Sequence, residues 1–347
     1  MPAAITSARL LRLRLVAQRL APGSAARSAT EAAAAVCGIQ AQDVRAAGLA
    51  LRSRVPGIDR AAIDADGSLL RTWTVRGTAH LIAAADRPWL HALTAERNRR
   101  YYEGLIDKRG ALEAANAALP AMVAMLEETV APLKRAELLA GLEERGLPAL
   151  GPRAVNVLMP WACVAGPLVG VPDGRFRLAD PPAAVDEDEA LATLARRYLA
   201  GYGPATGTDL AKWSGLPLGI CRRALDAAGE LERAGDLLAL PGTLDGDPPE
   251  PPRAALLAAF DTSMLGWSSR EPIVRAADDG HVLPGGGIVR AVALARGRAA
   301  ATWRLEGSGP RRRLRLERFG RGPAKRALAA EADDVGRFLG VELELPA

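Results

Sequence analysis

The 347-residue sequence contains only three cysteines and three histidines, which argues against disulfide bonds and against a metal site. The cysteines are odd in number, far apart and set in apolar helical patterns, so a disulfide framework is not expected. The histidines share no metal-ligand spacing with the cysteines or with a pair of carboxylates. We therefore predict a protein that uses no metal and no other cofactor. The residues concerned are Cys37, Cys163, Cys221, His80, His91 and His281.

Long apolar runs are also missing. Arg, Asp or Pro interrupts each apolar stretch well before it reaches the length of a bilayer span. Arg9, Arg12 and Arg14 break the apolar pattern near the N-terminus, which is not the pattern of a signal peptide. We expect a cytoplasmic protein with no membrane partner.

Lysine is scarce as well, because only four of the 45 basic residues are lysines and the others are arginines. With 49% hydrophobic and 24% charged residues, the composition is that of a globular protein, and the length allows roughly two to four compact units. The formal net charge of +5 favours a polyanionic partner, since each arginine that contacts a phosphate releases a counterion. Composition alone therefore points towards nucleic acid.

The first segment has the element order of a winged helix. A first helix is followed by a second one, which is capped by Ser28 or Thr30 and is expected to run to Ile39. Residues 69–82 then alternate like two strands, with a bend at Gly77. We interpret residues 1–112 as a first winged-helix unit.

The same order recurs twice and then changes. Two helices and a strand, turn, strand pattern occur in 113–184, and three helical runs followed by a turn into a strand occur in 185–244, which predicts two further winged-helix units. A segment rich in Pro and Asp, 245–252, reads as a linker. Strand-like runs and a final helix over 324–339 follow within 253–347. The predicted fold is α+β, with three tandem winged-helix units and a small C-terminal β-barrel or sheet closed by a helix.

Gln40 and Gln42 place two primary amides between apolar segments at the predicted end of the second helix. Each amide has two donors and an acceptor, so burying the pair costs stability unless partners satisfy them. On the residues alone, helix capping at a solvated surface is the favoured interpretation, and a ligand or a water is the alternative. The pattern does not choose an enzyme over a binding protein.

Several short motifs resemble those of the AlkZ-type winged-helix DNA glycosylases, which unhook interstrand crosslinks and remove alkylated guanine. The resemblance extends over nearly the whole chain, and the order and spread of the motifs make it specific. The chain departs from the family at Ala301, where a Gly is expected two residues before Trp303. The motifs are Gly38–Gln42, Arg76–Leu81, Arg197–Leu199, Gly203–Ala205, Trp213–Gly215 and Phe260–Gly266.

The resemblance implies that Gln40 and Gln42 are the catalytic residues of a monofunctional DNA glycosylase. Its substrate would be double-stranded DNA carrying N7-alkylated or crosslinked guanine, so the protein would be nucleoid-associated when bound. Alkylation at N7 makes the base cationic, so no acid is needed, and two amide oxygens can position the water and face the developing positive charge. His80 and Asp43 are expected to support the active site, although a core role for His80 and a pairing of Asp43 with Arg45 are the alternatives.

Further residues of the first segment are candidates for DNA contacts, with a solvated surface or a core position as the alternative for each. These candidates are Arg45, Arg52, Arg71, Arg76 and Trp73. A different class of function also fits the pattern, namely a non-catalytic winged-helix DNA-binding protein such as a transcriptional regulator. Such regulators usually dimerise, and no heptad run is present here, so we expect a monomer.

Overall fold

The computed structural model describes residues 5–147, 151 and 153–345. The helices in these ranges are α1 (Ser7–Ala17), α2 (Ala29–Ala35), α3 (Val44–Arg52), α4 (Arg60–Asp64), α5 (Arg87–Asp107), α6 (Leu112–Glu127), α7 (Arg135–Glu144), α8 (Val155–Ala165), α9 (Glu187–Tyr202), α10 (Gly207–Ser214), α11 (Leu218–Ala227), α12 (Asp279–Val282) and α13 (Lys325–Leu339). The strands are β1 (Ile39–Gln40), β2 (Leu69–Trp73), β3 (Ala79–Ala83), β4 (Leu168–Gly170), β5 (Phe176–Leu178), β6 (Glu232–Ala234), β7 (Leu237–Ala239), β8 (Ala254–Leu257), β9 (Val292–Ala295), β10 (Arg298–Glu306), β11 (Arg311–Arg318) and β12 (Glu342–Glu344). The α+β class predicted from the sequence is confirmed.

The second helix is shorter than predicted, and this moves the amide pair onto a different element. Ser28 caps α2 as expected, but the helix ends at Ala35. Cys37 and Gly38 then adopt positive φ angles of 54° and 107°, which reverse the chain. Gln40 therefore lies on β1, an edge strand, and the prediction of a helix running to Ile39 is wrong. The alanine-rich run continues the helical pattern but cannot overcome the reversal at Gly38, where an added Cβ would lie 3.0 Å from the Ile82 side chain.

The predicted strand pair over 69–82 is confirmed, and it forms the centre of an antiparallel sheet. The strand order is β1-β3-β2-β4-β5, so strands from the first two predicted units share one sheet. The two halves join where Arg71 pairs with Gly170. At that point an added Cβ on residue 170 would come within 3.1 Å of the Cβ and backbone oxygen of Arg71. The unit boundaries at 112, 184 and 244 stay a prediction.

The helices and hairpins expected beyond residue 135 are found close to their predicted positions. Helices α7 and α8 precede the β4–β5 hairpin, and helices α9, α10 and α11 precede the β6–β7 hairpin. The sequence did not reveal α5 or α6, which follow the first strand pair. Strands β8 to β12 form an open five-stranded sheet with the order β12-β11-β10-β9-β8, so within the described ranges the C-terminal part is a sheet and not a closed barrel. Its face packs on α13, as expected.

A buried polar network connects α1, the end of α3 and the turn after β8. Arg54 donates to both carboxylate oxygens of Asp261 at 2.8 and 2.9 Å, and both side chains are fully buried. Gln18 Oε1 accepts from Arg54 and from Thr262 at 3.1 and 2.9 Å, while its Nε2 donates to Gly201 O at 2.6 Å. The network ties the first helix to the C-terminal part of the chain.

Candidate active site

The amide pair lies at one end of the N-terminal sheet. Gln40 on β1 is opposite His80 on β3, and His80 is opposite Thr72 on β2, so the three side chains share one face of the sheet. Gln40 is 6% exposed and its Nε2 donates to Gln42 Oε1 at 2.9 Å, whereas Gln42 is exposed. The pair therefore connects the buried sheet to solvent.

A tight turn between β2 and β3 presents Arg76 to the amide pair. Arg76 has a left-handed backbone conformation with φ of 57°. Its Nη2 donates to Gln40 Oε1 at 3.4 Å and its Nη1 donates to the carbonyl of Trp213 on α10. Helix α5 holds the turn on its other side, because Asn98 donates to Thr74 O and the Tyr102 hydroxyl donates to Gly77 O, both at 2.7 Å. The position of this guanidinium is therefore fixed by two helices.

His80 is buried behind Gln40 and is neutral. Burial, assisted by the nearby charge of Arg76, lowers the pKa of His80 to about 3. Its Nδ1 lies 2.9 Å from Thr78 O and 3.0 Å from Thr74 Oγ1. A carbonyl oxygen can only accept, so Nδ1 carries the proton and the ring is held in one tautomer. A neutral, fixed imidazole supports its neighbours and is not a general acid at neutral pH.

Asp43 caps helix α3. Its Oδ1 accepts from the backbone N–H groups of Arg45 and Ala46 at 2.8 and 3.2 Å. The expected pairing with Arg45 thus involves the main chain of that residue and not its guanidinium, which is on the exposed side of the helix. The cap fixes the chain direction immediately after Gln42, and the supporting role expected of Asp43 stays a prediction.

A cleft of about 900 Å³ opens beside Gln42. Arg71, Arg76 and Arg135 line it, against Asp43 as the one acidic residue among its described lining residues. Burial lowers the pKa of Arg71 and of Arg76, but a guanidinium keeps its charge at physiological pH. The cleft is cationic and open, which suits an extended polyanion.

Arg71 and Trp73 form the floor of the cleft. Arg71 Nε donates to Ala41 O at 2.8 Å, and its guanidinium carbon lies 5.0 Å from the centre of the Trp73 ring. Trp73 is 8% exposed and belongs to the core around α8. The cation–π contact holds Arg71 against the ring, so both side chains are in place before a ligand arrives.

Arg52 lies elsewhere, and the DNA contact predicted for it is corrected. Its guanidinium donates to Asp334 at 2.7 Å and to Leu256 O at 2.8 Å, and a further ion pair to Glu331 spans 3.4 Å. The side chain is 1% exposed. Arg52 docks α13 onto α3 and cannot reach a phosphate from there.

Three cleft residues were missed by sequence reasoning. They are Tyr101, Arg135 and Asn156, which come from α5, α7 and α8. Tyr101 is 57% exposed and packs edge-on against Tyr102. The run Arg99-Arg100-Tyr101-Tyr102 mixes basic and aromatic residues and was the available signal for it. Arg135 donates a hydrogen bond to Asn156 Oδ1 at 3.0 Å, and no local sequence pattern predicts that contact.

The described residues hold no group of three or more His, Cys, Asp or Glu side chains placed to bind a metal ion. No helix in the same ranges combines the length and the apolarity of a membrane span. The described residues thus form an open cationic cleft with two amides at its edge, on a fold of mixed helices and sheets.

Comparison with known proteins makes the class specific. The family model described as DNA glycosylase AlkZ-like matches residues 33–338. An interstrand DNA cross-link repair glycosylase from Streptomyces sahachiroi is 26% identical over 319 residues, which are 80% of this chain and 82% of that protein. The solved structure of the Streptomyces sahachiroi DNA glycosylase AlkZ has a similar fold, with a TM-score of 0.74 over 99% of this chain and 100% of that chain, at 22% identity.

The chain belongs to the AlkZ-like DNA glycosylase family. It is therefore an enzyme, and DNA is its substrate. The resemblance drawn from the sequence motifs is confirmed, and the non-catalytic regulator is set aside as an interpretation.

Proposed function

We propose that this glycosylase hydrolyses the N-glycosidic bond of N7-alkylated guanine in duplex DNA, with Gln40 and Gln42 as its catalytic residues. The observation that carries the proposal is the hydrogen-bonded amide pair at the edge of a cationic cleft. Arg45, Arg71 and Trp73 would contact the DNA around the lesion. The protein would act as a monomer.

The chemistry requires no acid. An N7-alkylated guanine is already cationic, so when the bond from C1′ to N9 breaks, its electron pair stays on N9 and neutralises the base. A water then adds to C1′ and releases a proton to solvent. Amide oxygens can orient that water and stabilise the sugar cation, which is the work of positioning and of preorganised dipoles. The buried neutral His80 fits this scheme because no group of the site has to deliver a proton.

The open cleft also supports action on crosslinks, the activity that the name of the Streptomyces sahachiroi relative states for that protein. A guanine tied to the opposite strand cannot swing into a closed pocket, because the linkage holds it in the duplex. The cleft beside Gln42 and Tyr101 is open to solvent and does not enclose its ligand, so a guanine that stays linked to the other strand could be approached at the surface. We therefore propose that crosslinked guanine is a substrate as well.

The test is release of base from a duplex that carries one N7-methylguanine or one nitrogen-mustard crosslink. Gln40→Ala and Gln42→Ala should each slow release about 100- to 1000-fold under single-turnover conditions, in the range seen when one preorganised polar group is removed from an active site. Binding to an abasic-site analogue should stay near the wild-type level. Arg304→Ala, on the exposed face of β10, is the matched control. Normal release by both glutamine variants would refute the assignment.

A second test concerns the type of glycosylase. None of the four lysines lies among the described residues that line the cleft, so this lining offers no lysine amine for a Schiff base with C1′. Borohydride added during turnover should trap no covalent complex of protein and DNA. A trapped complex that survives denaturation would show a lyase step and would contradict a monofunctional mechanism.

A further inference from the structure

Arg76 differs from the other two cleft arginines because it donates to the amide pair itself, whereas Arg71 and Arg135 donate to other groups. Within the described ranges no carboxylate lies at salt-bridge distance from it, and its contacts are the two oxygens Gln40 Oε1 and Trp213 O. A guanidinium whose function was to contact phosphate would be expected to extend towards solvent. This one is held beside the amide instead.

The direction of the hydrogen bonds follows from this contact. Arg76 can only donate, so the oxygen of the Gln40 amide, and not its nitrogen, must face the guanidinium. The nitrogen of Gln40 then faces Gln42 and donates to its oxygen at 2.9 Å. Reversing the Gln40 amide would place donor against donor at Arg76 and acceptor against acceptor at Gln42. One charged residue thus fixes the polarity of both amides.

The backbone at position 76 has a cost that this arrangement explains. A left-handed conformation is unfavourable in a non-glycine residue, and glycine would avoid that cost. Helix α5 holds the turn in this conformation through Asn98 and Tyr102. A strained residue that the surrounding structure enforces is common at functional sites.

We propose that Arg76 is a positioning residue, which sets the orientation of the Gln40 and Gln42 amides so that the exposed oxygen lone pair and NH₂ group of Gln42 face the lesion. This proposal deepens the proposed function and rests on it. It replaces the DNA contact that the sequence suggested for Arg76. It also assigns the turn between β2 and β3 a role in catalysis, exerted through Gln40.

The orientation can be measured without any reaction. The sequence contains only three glutamines, Gln18, Gln40 and Gln42, so labelling of glutamine side-chain nitrogen gives three NH₂ signals in an NMR spectrum. In Arg76→Ala and Arg76→Lys, the signals of Gln40 and Gln42 should shift and broaden. The Gln18 signal should stay in place, because its partners Gly201, Arg54 and Thr262 are untouched. Unchanged signals for all three glutamines would overturn the proposal.

A double-mutant cycle then tests whether Arg76 affects the rate of base release through Gln40. Arg76→Ala should slow single-turnover release of N7-methylguanine by about 10- to 100-fold, a typical loss for a misplaced group. In a Gln40→Ala background the same change should cost less than about twofold, because effects transmitted through one residue are not additive. Arg97→Ala is the matched control, since Arg97 donates to the neighbouring carbonyl of Gly215 but not to Gln40. Losses that multiply in the double variant would contradict the proposal.

The salt dependence of binding separates this role from a phosphate contact. Loss of one phosphate contact reduces the slope of log Kd against log salt by about one. We expect an unchanged slope in Arg76→Ala and in Arg76→Lys, which keeps a charge but cannot bridge both oxygens. A slope reduced by one with a normal reaction rate would identify Arg76 as a phosphate contact. If wild-type protein releases no alkylated base, the proposed function fails, and the NMR result still decides the orientation of the amides.

Discussion

Two sites in this molecule join a glutamine amide to an arginine, and they are built for opposite purposes. At Gln18 both ends of the amide have protein partners, and the charge of Arg54 is neutralised by Asp261 in the interior. At Gln40 and Gln42 the amides are linked to Arg76, no carboxylate within the described ranges pairs with that arginine, and the outer amide faces a cleft. A satisfied amide stabilises a fold, whereas an incompletely satisfied one is available to a substrate.

The largest effect expected from this contrast is on stability. Arg54→Ala would leave Asp261 charged, buried and unpaired, so the free energy of unfolding should fall by about 3 to 5 kcal/mol. Arg76→Ala breaks no ion pair and should cost much less, because alanine has the same left-handed backbone strain as arginine and only the side-chain hydrogen bonds are lost. Denaturant unfolding of both variants checks this order. Equal losses would mean that Arg76 is as structural as Arg54.

A smaller effect on stability is expected to distinguish Gln18 from Gln42. Gln18→Ala removes a hydrogen-bond partner from Arg54, Thr262 and Gly201, which should lower the free energy of unfolding by about 2 to 3 kcal/mol. Its single-turnover rate should stay within about twofold of the wild type once the protein is folded. Gln42→Ala, at an exposed position, should show the reverse pattern. A rate loss in Gln18→Ala equal to that of Gln42→Ala would remove the distinction between the two sites.

The smallest expected effect concerns His80, which lies beside Gln40. Its pKa is about 3 in the fold and near 6.5 in the unfolded chain, so between these values the unfolded state binds a proton that the native state does not. Stability therefore falls as the pH falls below about 6.5, by about 1.4 kcal/mol per pH unit from this residue alone. Unfolding curves at pH 6 and pH 5 should show a larger loss for the wild type than for His80→Asn. An equal loss would mean that His80 is not held neutral.

Much of the fold could be predicted because its signals are local. The hairpins at Gly174 and Gly235 fall at glycines with positive φ, and alternation marked β2 and β3. Helix α5 was missed because Thr94 and Asn98 are buried where an amphipathic pattern would place apolar residues. The two side chains face inwards, where Asn98 donates a hydrogen bond to Thr74 O in the turn before Arg76. This contact belongs to the tertiary structure and has no local sequence signal.

The candidate site shows the same limit. The catalytic role of Gln40 and Gln42 was inferred from a family resemblance, and the pattern alone placed them at the end of a helix. Strand β1 exists only because β3 lies beside it, at a distance of about 40 residues along the chain. The contact of Arg76 with Trp213 spans 137 residues, and the burial of Arg52 depends on α13. Such contacts leave no mark in a short window of sequence.

The pairing of Arg71 with Gly170 affects the width of the cleft. Because one continuous sheet runs beneath the cleft, its two walls are spaced by a backbone register and not by the docking of separate bodies. If DNA binds here as proposed, it meets a channel whose breadth is set before binding. A residue larger than glycine at position 170 would crowd Arg71, which lines the cleft, so the local spacing of the two halves depends on the absence of a side chain at that position.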